Sequence, residues 1–110
     1  MSIYVTFLDM YRRFFQPPPK GHYFLLGPRG VGKSQFLKQH YPNAKIISLV
    51  DSKSYRQLSA KPEKIREIIE CAKEKIIIID EIQKVPALLS EIHQLIEDKT
   101  QHQFILSGSS

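Results

Sequence analysis

Eight consecutive residues have the types and spacing of a phosphate-binding loop. They match the pattern G-x-x-x-x-G-K-[ST] and read Gly27-Pro28-Arg29-Gly30-Val31-Gly32-Lys33-Ser34. The glycines let the backbone turn so that successive N–H groups point at phosphate oxygens, and the positive end of the next helix faces the same anion. Lys33 can reach the β- and γ-phosphates of a nucleotide, and the Ser34 hydroxyl can bind Mg²⁺.

The segments on either side of this loop have the order that its chemistry requires. Residues 23–26 form an apolar run that is short enough for a buried strand. Residues 35–41 suit a helix, which Pro42 ends. The sequence therefore predicts a strand, a loop and a helix, and it favours nucleotide binding over an ordinary glycine-rich turn.

Two carboxylates follow a run of four isoleucines at residues 76–79. Consecutive β-branched residues are typical of a strand buried on both faces, as in a parallel sheet covered by helices. Asp80 and Glu81 then fall at the carboxyl end of that strand, where open α/β sheets bind their ligands. Asp80 is suited to hold Mg²⁺ through water, and Glu81 to orient or deprotonate an attacking water. The alternative is a solvated acidic turn, which the phosphate loop upstream disfavours.

Together these motifs resemble the P-loop ATPase domain of the AAA+ superfamily. The resemblance runs from Tyr23 to Ser110 and is strongest to prokaryotic AAA-type ATPases that continue into a C-terminal domain of unknown function. It includes residues 82–86 after the acidic pair, and residues 104–110, which look like a sensor-1 strand with a polar tip. The resemblance implies ATP as the ligand and Mg²⁺ as the metal.

The same resemblance implies a role for individual residues. Phosphate would be bound along the whole loop, by Gly27, Pro28, Arg29, Gly30, Val31, Gly32, Lys33 and Ser34. Ser34 and Asp80 would bind Mg²⁺, and Lys33 and Glu81 would act in catalysis. Ser107 would contact the γ-phosphate or the attacking water. The family often has threonine where this chain has Ser34 and Ser107, but serine keeps the hydroxyl that each role needs.

The predicted fold class is α/β, a three-layer P-loop NTPase sandwich with a mostly parallel sheet. Four strands are expected at about 23–27, 46–50, 76–80 and 104–108. By resemblance their sheet order is 1-4-3-2, and the family's fifth strand, helical lid and arginine finger are expected beyond Ser110. The sequence thus predicts a truncated core whose phosphate-loop strand is an edge, and which binds ATP but hydrolyses it slowly.

The chain divides by composition into residues 1–22 and the core at 23–110. Residues 3–16 have apolar side chains at helical spacing and predict an amphipathic helix, which the prolines at 17–19 end. Packing against the core is favoured for its apolar face over contact with adenine or a partner.

The sequence predicts two further helices, one before and one after the acidic pair. They begin at Pro62 and at Pro86, each followed by apolar residues on one face. Residues 52–60 are polar without a clear period and predict a loop, with Asp51 capping the turn.

Composition places the chain among ordinary globular domains. It has 110 residues, of which 42% are hydrophobic and 25% charged, and no apolar run of membrane-spanning length, so no membrane partner is expected. Cys71 is the single cysteine, so no intramolecular disulfide can form, and a reducing cytoplasm is the simplest setting. Cys71 lies among apolar residues and is expected to be a small core residue.

A formal net charge of +5 raises the question of nucleic-acid binding. The lysines and arginines of residues 61–75 alternate with glutamates, which is typical of a solvated helix face. No dense basic block with interleaved aromatic residues occurs. The sequence therefore disfavours direct nucleic-acid binding.

Several functions share a phosphate loop. A small-molecule kinase needs an acceptor site, whereas the Asp80–Glu81 pair favours water as the acceptor. A GTPase is disfavoured because no Asn-Lys-x-Asp motif occurs. An ATPase module remains, with a homo-oligomer or an attached C-terminal domain in a longer parent as partner. The alternative is a catalytically silent ATP-binding or protein-interaction fragment.

Overall fold

The computed structural model describes residues 2–6, 22–27 and 32–109 of the chain. From residue 22 onward, one or two helices separate each strand from the next. The strands are β1 (Ser2–Thr6), β2 (His22–Gly27), β3 (Lys45–Ser48), β4 (Ile76–Asp80) and β5 (Gln103–Ser109). The helices are α1 (Lys33–His40), α2 (Ser52–Ala60), α3 (Lys64–Glu70) and α4 (Ala87–Glu97), with a 3₁₀ turn at Ile82–Lys84.

The described strands form one parallel sheet in the order β1-β2-β5-β4-β3. Four of them have the predicted order, with the phosphate-loop strand β2 next to β5, then β4 and β3. The α/β fold class and this order are therefore confirmed. Strand β3 ends at Ser48, two residues earlier than expected, and Val50 beyond it is 61% exposed.

The prediction of a missing fifth strand is wrong, and so is the start of the predicted N-terminal helix. Residues 2–6 form strand β1, which pairs with β2 from Ser2 opposite His22 to Thr6 opposite Leu26. This segment is rich in β-branched and aromatic residues, and pairing satisfies backbone groups of β2 that would otherwise form an open edge. The remainder of the predicted helix and the prolines at 17–19 lie outside the described residues.

Helices cover both faces of the sheet, which gives the predicted three layers. Because neighbouring residues of a strand point to opposite faces, the isoleucine run of β4 contributes to two cores. Ile78 packs with Leu25 and Ile105 beneath helix α1. Ile77 and Ile79 belong to the larger core under α2, α3 and α4, which also includes Leu58, Ile65, Ile69, Leu88, Ile92 and Phe104.

Two local predictions are wrong for the helices that cover the larger core. Residues 52–60 form helix α2 rather than a loop, because the Asp51 carboxylate caps it by accepting the Ser54 N–H at 3.0 Å and Leu58 is buried in the core. That hydrogen bond also lowers the pKa of Asp51. Cys71 directly follows the last residue of α3, Glu70, and its side chain is exposed rather than buried.

The predicted helices after Pro62 and Pro86 are confirmed as α3 and α4. Within the described ranges, no helix combines the length and apolar content that a membrane span requires.

His22 at the start of β2 is expected to make the stability of the sheet depend on pH. Its Nδ1 accepts the Phe104 N–H at 3.0 Å, and burial lowers the pKa of its imidazole from the ordinary 6.5. Because the unfolded chain then binds the proton more readily, we expect stability to be lost as pH falls below about 6.5 and through the folded-state pKa. Urea unfolding between pH 7.5 and 5 should show a smaller loss in His22→Gln than in the parent. The exposed control His93→Gln should keep the parental pH dependence, and equal losses in all three proteins would contradict this role.

Candidate functional site

Helix α1 begins at the end of the predicted phosphate loop. Its N-cap residue Gly32 has a φ of 87°, a left-handed conformation in which side chains are strained, and the Gly32 carbonyl accepts the Phe36 N–H at 2.9 Å. The glycine is therefore required by backbone conformation, since an added Cβ would meet no atom within 4 Å. Residues 28–31, where Pro28, Arg29, Gly30 and Val31 were assigned to phosphate binding, lie outside the described residues.

Lys33 is a buried cation at the carboxyl edge of the sheet. Its side chain starts in the first turn of α1, is 5% exposed, and donates from Nζ to the Gly108 carbonyl at 2.6 Å. The same Nζ lies 3.5 Å from Ser109 Oγ. Gly27, the last residue of β2, is opposite Ser109 in the sheet. The predicted phosphate lysine is thus held at the tip of β5, beside the point where the phosphate loop leaves the sheet.

Asp80 ends strand β4 and receives hydroxyl groups from both sides. Ser34 Oγ donates to Asp80 Oδ2 at 3.2 Å, and Ser107 Oγ donates to Asp80 Oδ1 at 2.7 Å. Ser107 is fully buried in β5, so its hydroxyl fixes one oxygen of the carboxylate. The sensor role that the family resemblance implied for Ser107 stays a prediction; the contact that the structure gives it is with Asp80.

Glu81 lies next to Asp80 but points to a different group. It has a φ of 58°, rare for a residue with a side chain, and it is 7% exposed. Ser109 Oγ donates to its carboxylate, at 2.8 Å from Oε1, and Gln83 Nε2 donates to Oε2. Strained backbone that is held by surrounding contacts is concentrated at functional sites.

These residues surround one cleft at the carboxyl edge of the sheet. The cleft has a volume of about 400 Å³ and is lined by Gly32, Lys33, Ser34, Gln35, Val50, Asp80, Glu81 and Lys84. Helix α1, the next described element after β2, packs on one face of the sheet, and α4, which follows β4, packs on the opposite face, as the two separate cores show. Connections that diverge in this way open a ligand crevice at the carboxyl ends of parallel strands.

The donor set of the cleft fits Mg²⁺. Ser34 and Asp80 supply a hydroxyl and a carboxylate oxygen 3.2 Å apart, both hard ligands. Within the described ranges, no three His, Cys, Asp or Glu residues form a group that could hold a metal. A small protein ligand set is nevertheless usual for Mg²⁺ at nucleotides, where water and phosphate oxygens complete the shell.

The sequence prediction missed several residues of this site. Ser109 links Glu81 to the neighbourhood of Lys33, the Gly108 carbonyl binds the lysine, and Gln83 holds the glutamate. Their roles depend on strand β5 lying between β2 and β4, which is a long-range pairing. The available signal was the polar tip of the final strand, in which the sequence prediction gave a role to Ser107 alone.

The sheet order and the residues at its carboxyl edge define a P-loop NTPase-like domain. A comparison with family models agrees: the model described as "AAA domain" matches residues 20–110. The chain therefore belongs to the AAA domain family, which implies an ATP-binding, ATPase-type module. The narrower resemblance to ATPases with a C-terminal domain of unknown function stays a prediction. Neither the curated proteins nor the solved structures contain a significant match.

Proposed function

We propose that this chain binds Mg²⁺-ATP in the cleft at the carboxyl edge of the sheet and hydrolyses it with Glu81 as the base. The observation that carries the proposal is the convergence of Lys33, Asp80 and Glu81 on the tip of β5. A buried lysine and two carboxylates, each hydrogen-bonded to a specific partner, make an ordered polar site at the edge where such folds bind ligands.

Phosphate binding rests on Lys33 and the loop that precedes it. The amine at present donates to a neutral carbonyl, and phosphate oxygens are charged acceptors that form stronger hydrogen bonds. The backbone N–H groups of the loop at residues 27–34, apart from Pro28, would surround the β- and γ-phosphates. Nucleotide binding therefore replaces a bond within the protein with one to the ligand.

Ser34 and Asp80 would hold Mg²⁺, and Ser107 would keep the Asp80 carboxylate in the orientation that this requires. When bound, the ion would neutralise charge on the β- and γ-phosphates. Ser107 acts here as a positioning residue, since its hydroxyl donates to Asp80 in a fully buried position.

Hydrolysis would use Glu81 to accept a proton from water. The water oxygen forms a bond to the γ-phosphorus, the bond to the β,γ-bridging oxygen breaks, and ADP leaves with that oxygen. Ser109 and Gln83 would fix the direction of the carboxylate. An arginine from a second copy or an attached domain would raise the rate by stabilising charge on the transferred phosphoryl group.

A second candidate is a module that binds ATP without hydrolysing it. The observation in its favour is that the Glu81 carboxylate already accepts hydrogen bonds from Ser109 and Gln83. A base held in this way must turn towards the water before it can act. Measuring phosphate release beside nucleotide affinity separates the two candidates.

The test of binding is calorimetric titration of the purified chain with ATP, ADP and GTP in Mg²⁺, repeated with ATP and excess chelator. We expect ATP to bind in the micromolar range, with weaker binding when Mg²⁺ is removed. Absence of binding in a chain that circular dichroism shows to be folded would refute the proposal. A rate of phosphate release per protein molecule that rises with protein concentration would indicate that copies complete one another's sites.

A further inference from the structure

One cation that lines the cleft has no role in the proposed mechanism. Lys84 is the last residue of the 3₁₀ turn that follows Glu81, and it lines the cleft together with Gly32, Ser34 and Asp80. Its side chain is exposed, unlike that of Lys33. Among the described lining residues, these two lysines are the cations.

The 3₁₀ turn that follows Glu81 places Lys84 in the lining of the same cleft. Glu81 is the left-handed N-cap of this turn, and the Lys84 N–H donates to the Glu81 carbonyl at 3.0 Å. Glu81 is the residue proposed to face the attacking water, which approaches the terminal phosphate. In that binding mode Lys84 would approach the terminal phosphate from the Glu81 side of the cleft, whereas Lys33 reaches the cleft from helix α1.

A neighbouring aromatic ring holds the Lys84 ammonium group only weakly. Its Nζ lies 5.9 Å from the centroid of the Tyr55 ring, near the outer limit of a cation–π contact, and Tyr55 is itself 41% exposed. The contact keeps the ammonium near the cleft without burying it. A phosphate oxygen is a stronger partner, and the flexible lysine stem can turn towards it.

The charges in the cleft provide the reason for a second cation. In the proposed binding mode, a triphosphate would place its most negative end beside Asp80 and Glu81, which line the cleft. The proposed Mg²⁺ would offset the charge of Asp80, but repulsion between the Glu81 carboxylate and a terminal phosphate still weakens binding unless positive charge is added nearby. ADP lacks that phosphate and so gains less from such a cation.

We propose that Lys84 is a phosphate-binding residue that contacts the terminal phosphate and makes the site prefer nucleoside triphosphates to diphosphates. The inference rests on the proposed nucleotide function and adds a determinant of ligand choice. The weak contact with Tyr55 keeps the ammonium group near the cleft before the nucleotide arrives.

The experiment is a calorimetric comparison of Mg²⁺-ATP and Mg²⁺-ADP binding by the parent, Lys84→Gln, Lys84→Arg and Lys73→Gln. Lys73 is exposed beside the amino end of β4, so its substitution removes the same charge far from the cleft. We expect Lys84→Gln to weaken ATP binding about tenfold and ADP binding by less than about twofold. Lys84→Arg should keep most of the preference for ATP, and Lys73→Gln should match the parent.

Equal weakening of ATP and ADP binding in Lys84→Gln would overturn the inference. An equal loss of ATP binding in Lys84→Gln and Lys73→Gln would also overturn it. In either case nucleotide binding by the parent would still support the proposed function. A folded parent that binds neither nucleotide would overturn both. A Lys33→Ala variant in the same series should weaken the binding of both ATP and ADP. The comparison separates a general phosphate contact from a contact with the terminal phosphate.

Discussion

Replacing Lys33 with alanine is expected to weaken Mg²⁺-ATP binding about 100-fold, because a charge-assisted hydrogen bond to phosphate is worth up to about 3 kcal/mol. Lys33 has 5% exposure, so its amine is already largely desolvated and fixed at the carboxyl edge of the sheet. Its bond to the Gly108 carbonyl directs it to the tip of β5, beside Gly27. The nucleotide would thus meet a lysine that needs little reorganisation.

Two variants make this measurement specific. Lys33→Met removes the charge but keeps an apolar stem of similar length, so it should lose binding as Lys33→Ala does. Lys64→Ala removes an exposed lysine at the start of α3 and should bind as the parent does. Circular dichroism and thermal unfolding establish that each variant is folded. ATP affinity in folded Lys33→Met equal to that of the parent would exclude Lys33 from the binding site.

The elements nearest this site were predictable because their signals are local. The four isoleucines before Asp80 indicated a strand buried on both faces, and Ile77, Ile78 and Ile79 are buried on two opposite faces. The phosphate-loop pattern likewise predicted a helix directly after the loop, at residues 35–41, and α1 is found at Lys33–His40. Such patterns reflect backbone geometry and burial within a few residues, which sequence carries directly.

The errors arose where long-range pairing or a single anchor decides the structure. Residues 3–16 have apolar side chains at helical spacing, yet the backbone of residues 2–6 pairs with β2. Helix α2 has one buried residue, Leu58, which is too little to produce a visible period. The contact of Ser109 with Glu81 depends on strand order. Pairing between strands that are distant in the sequence cannot be predicted from the local spacing of apolar residues.

Replacing Glu81 with glutamine is expected to lower the rate of ATP hydrolysis at least about 100-fold while leaving ATP affinity within about threefold, because a positioned general base contributes that much. The amide keeps the size of the side chain and can still bond to Ser109 and Gln83, the partners of the carboxylate. It cannot accept a proton from water at neutral pH. Phosphate release under saturating Mg²⁺-ATP, with affinity measured separately, distinguishes loss of chemistry from loss of binding.

The backbone of Glu81 gives a second, independent readout. The φ of 58° at Glu81 is strained for any residue with a Cβ. Glu81→Gly should therefore lose hydrolysis as Glu81→Gln does, but its free energy of unfolding in urea should be about 1 kcal/mol higher than that of Glu81→Gln. Glu70→Gln, at the exposed end of α3, should leave both rate and stability unchanged. Hydrolysis by the parent no faster than by Glu81→Gln would favour the ATP-binding module without catalysis. Greater stability of Glu81→Gly together with lost turnover would instead show that the chain maintains a strained backbone at Glu81 for catalysis.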